Sequence, residues 1–116
     1  MNSLELDVPT SYKEATQDER DSVCNGCGLE GWKGNLVPDS ILGVDITEAC
    51  YIHDWDYRHG TTLFGKHKAD LRFLNNMIIL INRRGGCLTW LRRWQAMGYY
   101  NAVRDFGTEA YWEGKE

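Results

Sequence analysis

The sequence lacks several features that would place a chain of 116 residues in a familiar class. It has no excess of positive charge, because 13 basic residues stand against 17 acidic ones and give a formal net charge of −4. Nucleic-acid-binding domains typically carry a basic excess, so we expect no nucleic-acid partner. The apolar runs are short, and the longest is residues 77–81. A transmembrane helix needs roughly 20 apolar residues, so we expect no transmembrane segment.

The amino-terminal residues also lack the pattern of a secretory signal. Residues 1–15 contain neither a positively charged start nor an apolar run. We therefore expect synthesis in the cytoplasm, and any release from the cell would occur by lysis, by injection or by incorporation into a virion, so the final location stays open. An even number of cysteines allows two disulfides in three pairings, but an oxidising compartment is not assured. The four cysteines are Cys24, Cys27, Cys50 and Cys87.

The composition predicts one folded domain. Hydrophobic residues make up 42% of the chain and charged residues 26%, which is typical of globular proteins. Residues 1–23 are acidic and polar, and we interpret them as an arm or a short first helix. Residues 24–45 are rich in glycine and predict a long loop, which in a small domain is usually functional. Residues 24–116 form the body of the predicted domain.

Three segments have the periodicity of helices, and no segment has the alternation of a strand. The predicted helices span about 46–59, 66–83 and 88–105. Asp45 and Glu48 have the spacing of a capping box at the start of the first. The fold class is therefore mainly α, with two long antiparallel helices at its centre and a third towards the carboxyl terminus. Within the third helix, Trp90 and Trp94 are expected in the core.

Two ionisable residues lie on the apolar stripes of the two central helices. His53 is on the first and Asp70 on the second. Burying a neutral polar group alone costs roughly 2–7 kcal/mol, so such groups survive by pairing. A His–Asp pair fixes the imidazole tautomer and leaves one ring nitrogen to take a proton. The alternative is that each residue is an ordinary core residue with a local partner.

Asp54, directly after His53, is a candidate ligand for a hard cation. Calcium takes six to eight oxygen ligands, several of them from backbone carbonyls. The glycine-rich stretch CNGCGLEGWKG, residues 24–34, is able to present such carbonyls. A glycine-rich loop on its own is equally typical of a surface turn.

The segment ACYIHDWDY, residues 49–57, resembles the active-site helix of the phospholipase A2 superfamily. Upstream, Gly26-Cys27-Gly28 resembles the calcium loop of that family. Downstream, ADLRFLNNM, residues 69–77, is similar to the second catalytic helix of its short bacterial and fungal members. The tail YYNAVRDFGTEAY, residues 99–111, is also similar to that branch. The resemblance covers about residues 24–111.

The resemblance implies a phospholipase A2-like catalytic domain over residues 24–116. Its function would be calcium-dependent hydrolysis of the sn-2 ester of glycerophospholipids by a monomer bound peripherally to a membrane. His53 would be the general base, Asp70 would orient it, and Tyr57 would hydrogen-bond Asp70. The implied calcium ligands are the Asp54 carboxylate and the carbonyls of Gly26, Gly28 and Glu30. The implied disulfide is Cys27–Cys50, which leaves Cys24 and Cys87 to pair with each other or to stay reduced.

Two other functions use the same residues. Cys24, Cys27, Cys50 and His53 have the spacing of zinc ligands, which would make the chain a small structural zinc domain. That interpretation leaves Asp54, Tyr57 and Asp70 unexplained. The other alternative is a non-catalytic phospholipase-like module that binds lipid.

Two surfaces are candidates for contact with lipid. Trp32, with Leu29 and Leu36, lies in the loop that would border the active site, where it either packs locally or inserts into the lipid interface. A basic cluster later in the chain is either a solvated helix end or a patch that meets anionic headgroups. Its members are Arg83, Arg84, Arg92 and Arg93.

Overall fold

The computed structural model describes residues 5–23, 37–113 and 115. The described residues are mainly helical, as the periodicity predicts, and they include six helices and one two-stranded hairpin. The helices are α1 (Thr10–Glu14), α2 (Gln17–Val23), α3 (Thr47–His59), α4 (Leu63–Arg84), α5 (Thr89–Phe106) and α6 (Thr108–Trp112). The antiparallel strands are β1 (Ser40–Ile41) and β2 (Val44–Asp45), which the sequence did not predict.

The three long helices lie close to their predicted positions. Helix α4 begins three residues early because Thr62 is its N-cap, where the hydroxyl oxygen accepts a hydrogen bond from the Gly65 amide at 2.9 Å. The predicted capping box at α3 is wrong. Asp45 accepts from the Thr47 amide at 2.8 Å. Glu48 turns away from the helix start and accepts from the Tyr12 hydroxyl at 2.8 Å.

Contacts between side chains show that the long helices run antiparallel. Asp56, in the second half of α3, pairs with Arg72, in the first half of α4, at 2.8 Å. Cys50, in the first half of α3, shares a core cluster with Met77, in the second half of α4. From α4 to α5, Asn82 near the end of α4 accepts from Arg93 near the start of α5. The first half of α4 consequently faces the second halves of both neighbouring helices. This arrangement brings polar residues of α3 and α4 to the centre of the bundle.

The hydrophobic core lies between the hairpin and these three helices. It includes Ile41, Phe73, Met77 and Val103, all nearly or fully buried. The prediction that Trp90 and Trp94 belong to the core is wrong, since both lie on the outer side of α5, where their exposed fractions are 70% and 71%.

Arg92 has a structural role that the basic cluster did not predict. The hairpin turns at Leu42 and Gly43, both of which have positive φ angles, of 46° and 87°. The guanidinium of Arg92, which is only 5% exposed, donates to the Leu42 carbonyl at 2.9 and 3.2 Å. Arg92 therefore holds a strained turn against α5 and does not belong to a basic surface.

The amino-terminal segment packs against α3 and α4. Asn76 of α4 is fully buried, accepts from the Asp7 amide at 2.6 Å and donates to the Asp7 carbonyl at 2.8 Å. Tyr12 packs edge-on against Trp55 with ring centroids 5.6 Å apart. No helix in the described part of the chain has the length and apolar character needed to span a membrane.

Candidate active site

His53 and Asp70 form a buried pair between α3 and α4. His53 Nε2 lies 2.8 Å from Asp70 Oδ1, and the two side chains are 0% and 1% exposed. The imidazole stacks on Phe73, with ring centroids 4.6 Å apart. The sequence predicted this pair from the apolar stripes of the two helices, and the structure brings the two residues together.

Tyr57 is the third predicted residue of the network, and the structure also brings it to Asp70. It lies one helical turn after His53, so both side chains leave α3 on the same face. The Tyr57 hydroxyl donates to Asp70 Oδ1 at 2.7 Å. One carboxylate oxygen thus binds two groups of the facing helix, which fixes its position relative to the imidazole.

Lys66 completes the network, and sequence reasoning missed it. Its ammonium group donates to Asp70 Oδ2 at 2.7 Å and to the carbonyls of Val103 and Arg104 at 3.3 and 3.2 Å. Lys66 is 2% exposed, which is rare for lysine. The signal was available, because Lys66 lies four residues before Asp70 on the stripe that continues to Phe73.

The surroundings of Asp70 keep it ionised. Burial alone would raise its pKa, but the hydrogen bond and charge of His53, with hydrogen bonds from Lys66 and Tyr57, lower the pKa below its ordinary value of 3.8. For Tyr57, burial and then the negative charge of Asp70 raise the pKa far above 10. The site therefore contains a carboxylate and a protonated phenol at neutral pH.

The ionised carboxylate selects the tautomer of His53. A carboxylate only accepts hydrogen bonds, so Nε2 of the imidazole must carry the hydrogen. In the neutral ring, Nδ1 is then the nitrogen with the lone pair that accepts a proton. Asp70 also stabilises the imidazolium that results, since the negative charge lies 2.8 Å from the ring. The arrangement is suited to general base catalysis.

Asp54 follows His53 on α3 and is half-buried. Its negative charge is close enough to Tyr57 to contribute to the raised pKa of that phenol. Across residues 5–23, 37–113 and 115, no three or more histidine, cysteine, aspartate or glutamate side chains cluster as a metal site. A calcium site with one carboxylate and several backbone carbonyls needs no such cluster, so the donor chemistry of Asp54 fits one.

Several predicted residues lie outside the described part of the chain. They belong to the glycine-rich loop and include the predicted carbonyl ligands, the lipid-contacting residues and two cysteines. These residues are Gly26, Gly28, Glu30, Leu29, Trp32, Leu36, Cys24 and Cys27. Their predicted roles stay predictions.

The state of the cysteines bears on the zinc alternative. Cys50 is disulfide-bonded and fully buried, and its predicted partner Cys27 lies outside the described residues. Cys87 is a free, exposed thiol, so the suggestion that it pairs with Cys24 is wrong. Zinc binds thiolates, and a disulfide sulfur is not one. With His53 Nε2 also bound to Asp70, the four-ligand zinc site gains no support from the described geometry.

The chain matches no protein-family model, no curated protein and no solved structure. The chemistry of its own residues, above all the buried His53–Asp70 pair, is therefore what bears on its function.

Proposed function

We propose that this chain is a calcium-dependent hydrolase of the phospholipase A2 type, which cleaves the sn-2 ester of glycerophospholipids. The observation that carries the proposal is the buried network in which Tyr57 and Lys66 fix Asp70 and Asp70 fixes His53. This network has the order of parts that a general base needs: a base, a carboxylate that orients it, and groups that hold the carboxylate.

His53 would take a proton from a water molecule through Nδ1, and the oxygen of that water would attack the ester carbonyl. Asp70 stabilises the resulting imidazolium across the 2.8 Å contact with Nε2. The imidazolium then gives its proton to the departing alcohol oxygen, which releases a free fatty acid and a lysophospholipid. The proton enters and leaves by the same nitrogen, so Asp70 is never required to accept it.

Calcium, when bound, would polarise the ester carbonyl and neutralise the phosphate. Asp54 would provide its carboxylate ligand, and the carbonyls of Gly26, Gly28 and Glu30 would provide the others. Asp54 is well placed for this role, because it lies next to the base in sequence and on the same helix. Removing its charge would weaken metal binding and leave the His53–Asp70 pair in place.

The test is fatty acid release from mixed phosphatidylcholine and phosphatidylglycerol vesicles, measured with calcium and with EGTA. We expect calcium-dependent release by the wild type and none by His53→Gln. The matched control is His67→Gln, which changes an exposed histidine at the start of α4 and should retain full release. Calorimetric titration should show that Asp54→Asn binds calcium more weakly, whereas His53→Gln binds it as the wild type does.

Two results would contradict the proposal. Equal fatty acid release in calcium and in EGTA would show that hydrolysis does not require calcium. Vesicle binding by the wild type without any release would favour the non-catalytic lipid-binding module.

A further inference from the structure

Helix α5 carries apolar residues on two opposite sides. On its inner side, Ala96 and Val103 are fully buried in the core. On its outer side, Trp90, Trp94 and Met97 are 70%, 71% and 42% exposed. Their spacing of four and three residues places these three side chains in one row. A groove of about 470 Å³ runs beside Trp94 and Met97.

Positive charge borders this row. Arg93 lies on the same side of α5 and is exposed, and its guanidinium donates to the uncharged Asn82 side chain at 2.6 Å. No acidic residue occurs anywhere in residues 71–104, although the whole chain has a net charge of −4. We call Trp90, Trp94, Met97 and Arg93 together the tryptophan face.

We propose that the tryptophan face is the surface by which this protein binds anionic phospholipid membranes. Tryptophan favours the boundary between headgroups and acyl chains, because its ring is apolar and its N–H is polar. Arginines at the edge of such a row attract the negative surface of an anionic leaflet. The protein would lie on the membrane with α5 parallel to it, since the exposed row runs along the helix.

Charge also argues against a second copy of the chain as the occupant. A symmetric dimer through this face would bring the same patch of both copies together. Arg93 of one copy would then approach Arg93 of the other, with no acid from residues 71–104 to compensate. An anionic lipid surface provides the missing negative charge.

The inference rests on the proposed function in one respect, since it names the anionic surface from which the ester substrate would be drawn. The far end of α5 contacts the catalytic network, because the carbonyls of Val103 and Arg104 accept hydrogen bonds from Lys66. The membrane-binding face and the His53–Asp70 site therefore belong to one packed unit.

The experiment is cosedimentation of the full chain with vesicles of ether-linked lipids, which have no ester to cleave. One set contains phosphatidylcholine alone, the other adds phosphatidylglycerol, and both are measured in EDTA. We expect the wild type to bind the anionic set, and the double variant Trp90→Gln/Trp94→Gln to bind at least about tenfold more weakly, because each ring would bury a large apolar area. The matched control is Phe64→Gln/Phe106→Gln, which changes two aromatic residues that are 71% and 70% exposed elsewhere on the surface. It should bind within about twofold of the wild type, on the same principle.

A second pair of variants tests the charge. Arg93→Gln should reduce binding to the anionic vesicles and make the remaining binding less sensitive to salt, whereas Lys68→Gln, which changes an exposed cation of α4, should not. Unchanged binding by the Trp90/Trp94 variant would overturn the proposal. So would a wild-type dimer in sedimentation velocity that this variant converts to monomers without loss of vesicle binding.

The proposed function is judged separately, by wild-type hydrolysis of a short-chain phosphatidylcholine below its micelle concentration. Hydrolysis without vesicle binding would contradict the membrane-binding role of the tryptophan face and support the proposed enzyme activity. Vesicle binding through this face without hydrolysis would support that role and contradict the proposed enzyme activity.

Discussion

The ammonium nitrogen of Lys66 lies 2.7 Å from Asp70 Oδ2, and the two side chains are 2% and 1% exposed. Removing two charges from water costs several kcal/mol per ion, so a buried pair is weak evidence for stability. This pair makes sense as a positioning device. It holds the carboxylate oxygen that His53 does not use, and it ties that carboxylate to the end of α5.

We predict that Lys66→Met lowers the kcat of the proposed hydrolysis by about 10- to 100-fold and leaves its KM nearly unchanged. A hydrogen bond to a charged group contributes roughly 1.5–3 kcal/mol, and here the loss affects the orientation of Asp70 and His53. Within the described residues, the ammonium group of Lys66 donates to Asp70, Val103 and Arg104 and not to the proposed ligand Asp54, so calorimetric calcium affinity should stay the same. Steady-state kinetics of Lys68→Met, an exposed neighbour on the same helix, provide the control. A rise in KM at constant kcat would contradict a positioning role.

His53 and Asp70 were predictable because helical spacing places each on an apolar stripe and a buried polar group needs a partner. The hydrogen bond from Tyr57 to Asp70 was expected only from the family resemblance. Lys66 was missed because a lysine beside an apolar stripe usually extends to solvent. Trp90 and Trp94 were placed in the core because spacing of four identifies a shared face without saying what covers it.

Shorter elements depend on contacts that spacing does not encode. The hairpin has strands of two residues, too short to show alternation, and its turn is held by Arg92, fifty residues away. The capping box failed because a distant hydroxyl, that of Tyr12, competed successfully for Glu48. Such long-range competition decides local structure after the chain has packed.

Acid stability should depend on Asp70. The pKa of Asp70 is lowered in the folded protein. At pH values between this lowered pKa and about 3.8, the carboxylate is therefore protonated in the unfolded chain and ionised in the folded protein. The stabilisation is fully present above that window and is lost as pH falls through the folded pKa. One such proton changes the free energy of unfolding by at most about 1.4 kcal/mol per pH unit. We expect Asp70→Asn to flatten this decline in urea unfolding measured from pH 5 to pH 2.

Asp56 provides the comparison of opposite sign. Burial raises its pKa, against the attraction of Arg72, so the folded state binds the proton first as pH falls. The contribution of Asp56 to stability therefore increases as pH decreases through its folded pKa. Asp56→Asn should steepen the acid decline. Parallel curves for the two variants would contradict both assignments.

Asn76 should control the amino-terminal segment. Its amide makes two hydrogen bonds to the backbone of Asp7, at 2.6 and 2.8 Å, and it is fully buried. Asn76→Ala should cost about 1–3 kcal/mol, because buried backbone groups lose their partners. It should also speed hydrogen exchange within residues 5–12. The neighbouring Asn75 is exposed, so Asn75→Ala should stay within about 0.5 kcal/mol of the wild type. Equal exchange in both variants would mean that Asn76 does not anchor the segment.

Gly60 leaves room for the side chain of Tyr111, which contacts Tyr57 of the His53–Asp70 network. Tyr111 packs edge-on against Tyr57, with ring centroids 5.2 Å apart, and its hydroxyl donates to the Thr62 carbonyl at 2.6 Å. A methyl group on Gly60 would collide with that hydroxyl and come within 2.8 Å of the ring. Gly60→Ala should therefore destabilise the protein by about 1–3 kcal/mol in urea unfolding.

The same glycine-to-alanine substitution at Gly98 should increase the free energy of unfolding instead of decreasing it. Gly98 lies inside α5, and an added methyl group there meets nothing within 4 Å. Gly98→Ala should stabilise the protein by about 0.5–1 kcal/mol, because alanine loses less backbone entropy than glycine in a helix. The cause at Gly60 is isolated by repeating Gly60→Ala in a Tyr111→Ala background. There the collision is gone, and the cost of the substitution should fall to about zero or reverse, since Gly60 has an ordinary extended conformation with φ −72°. A cost that persists without Tyr111 would show that the backbone at Gly60, and not the tyrosine, excludes the methyl group.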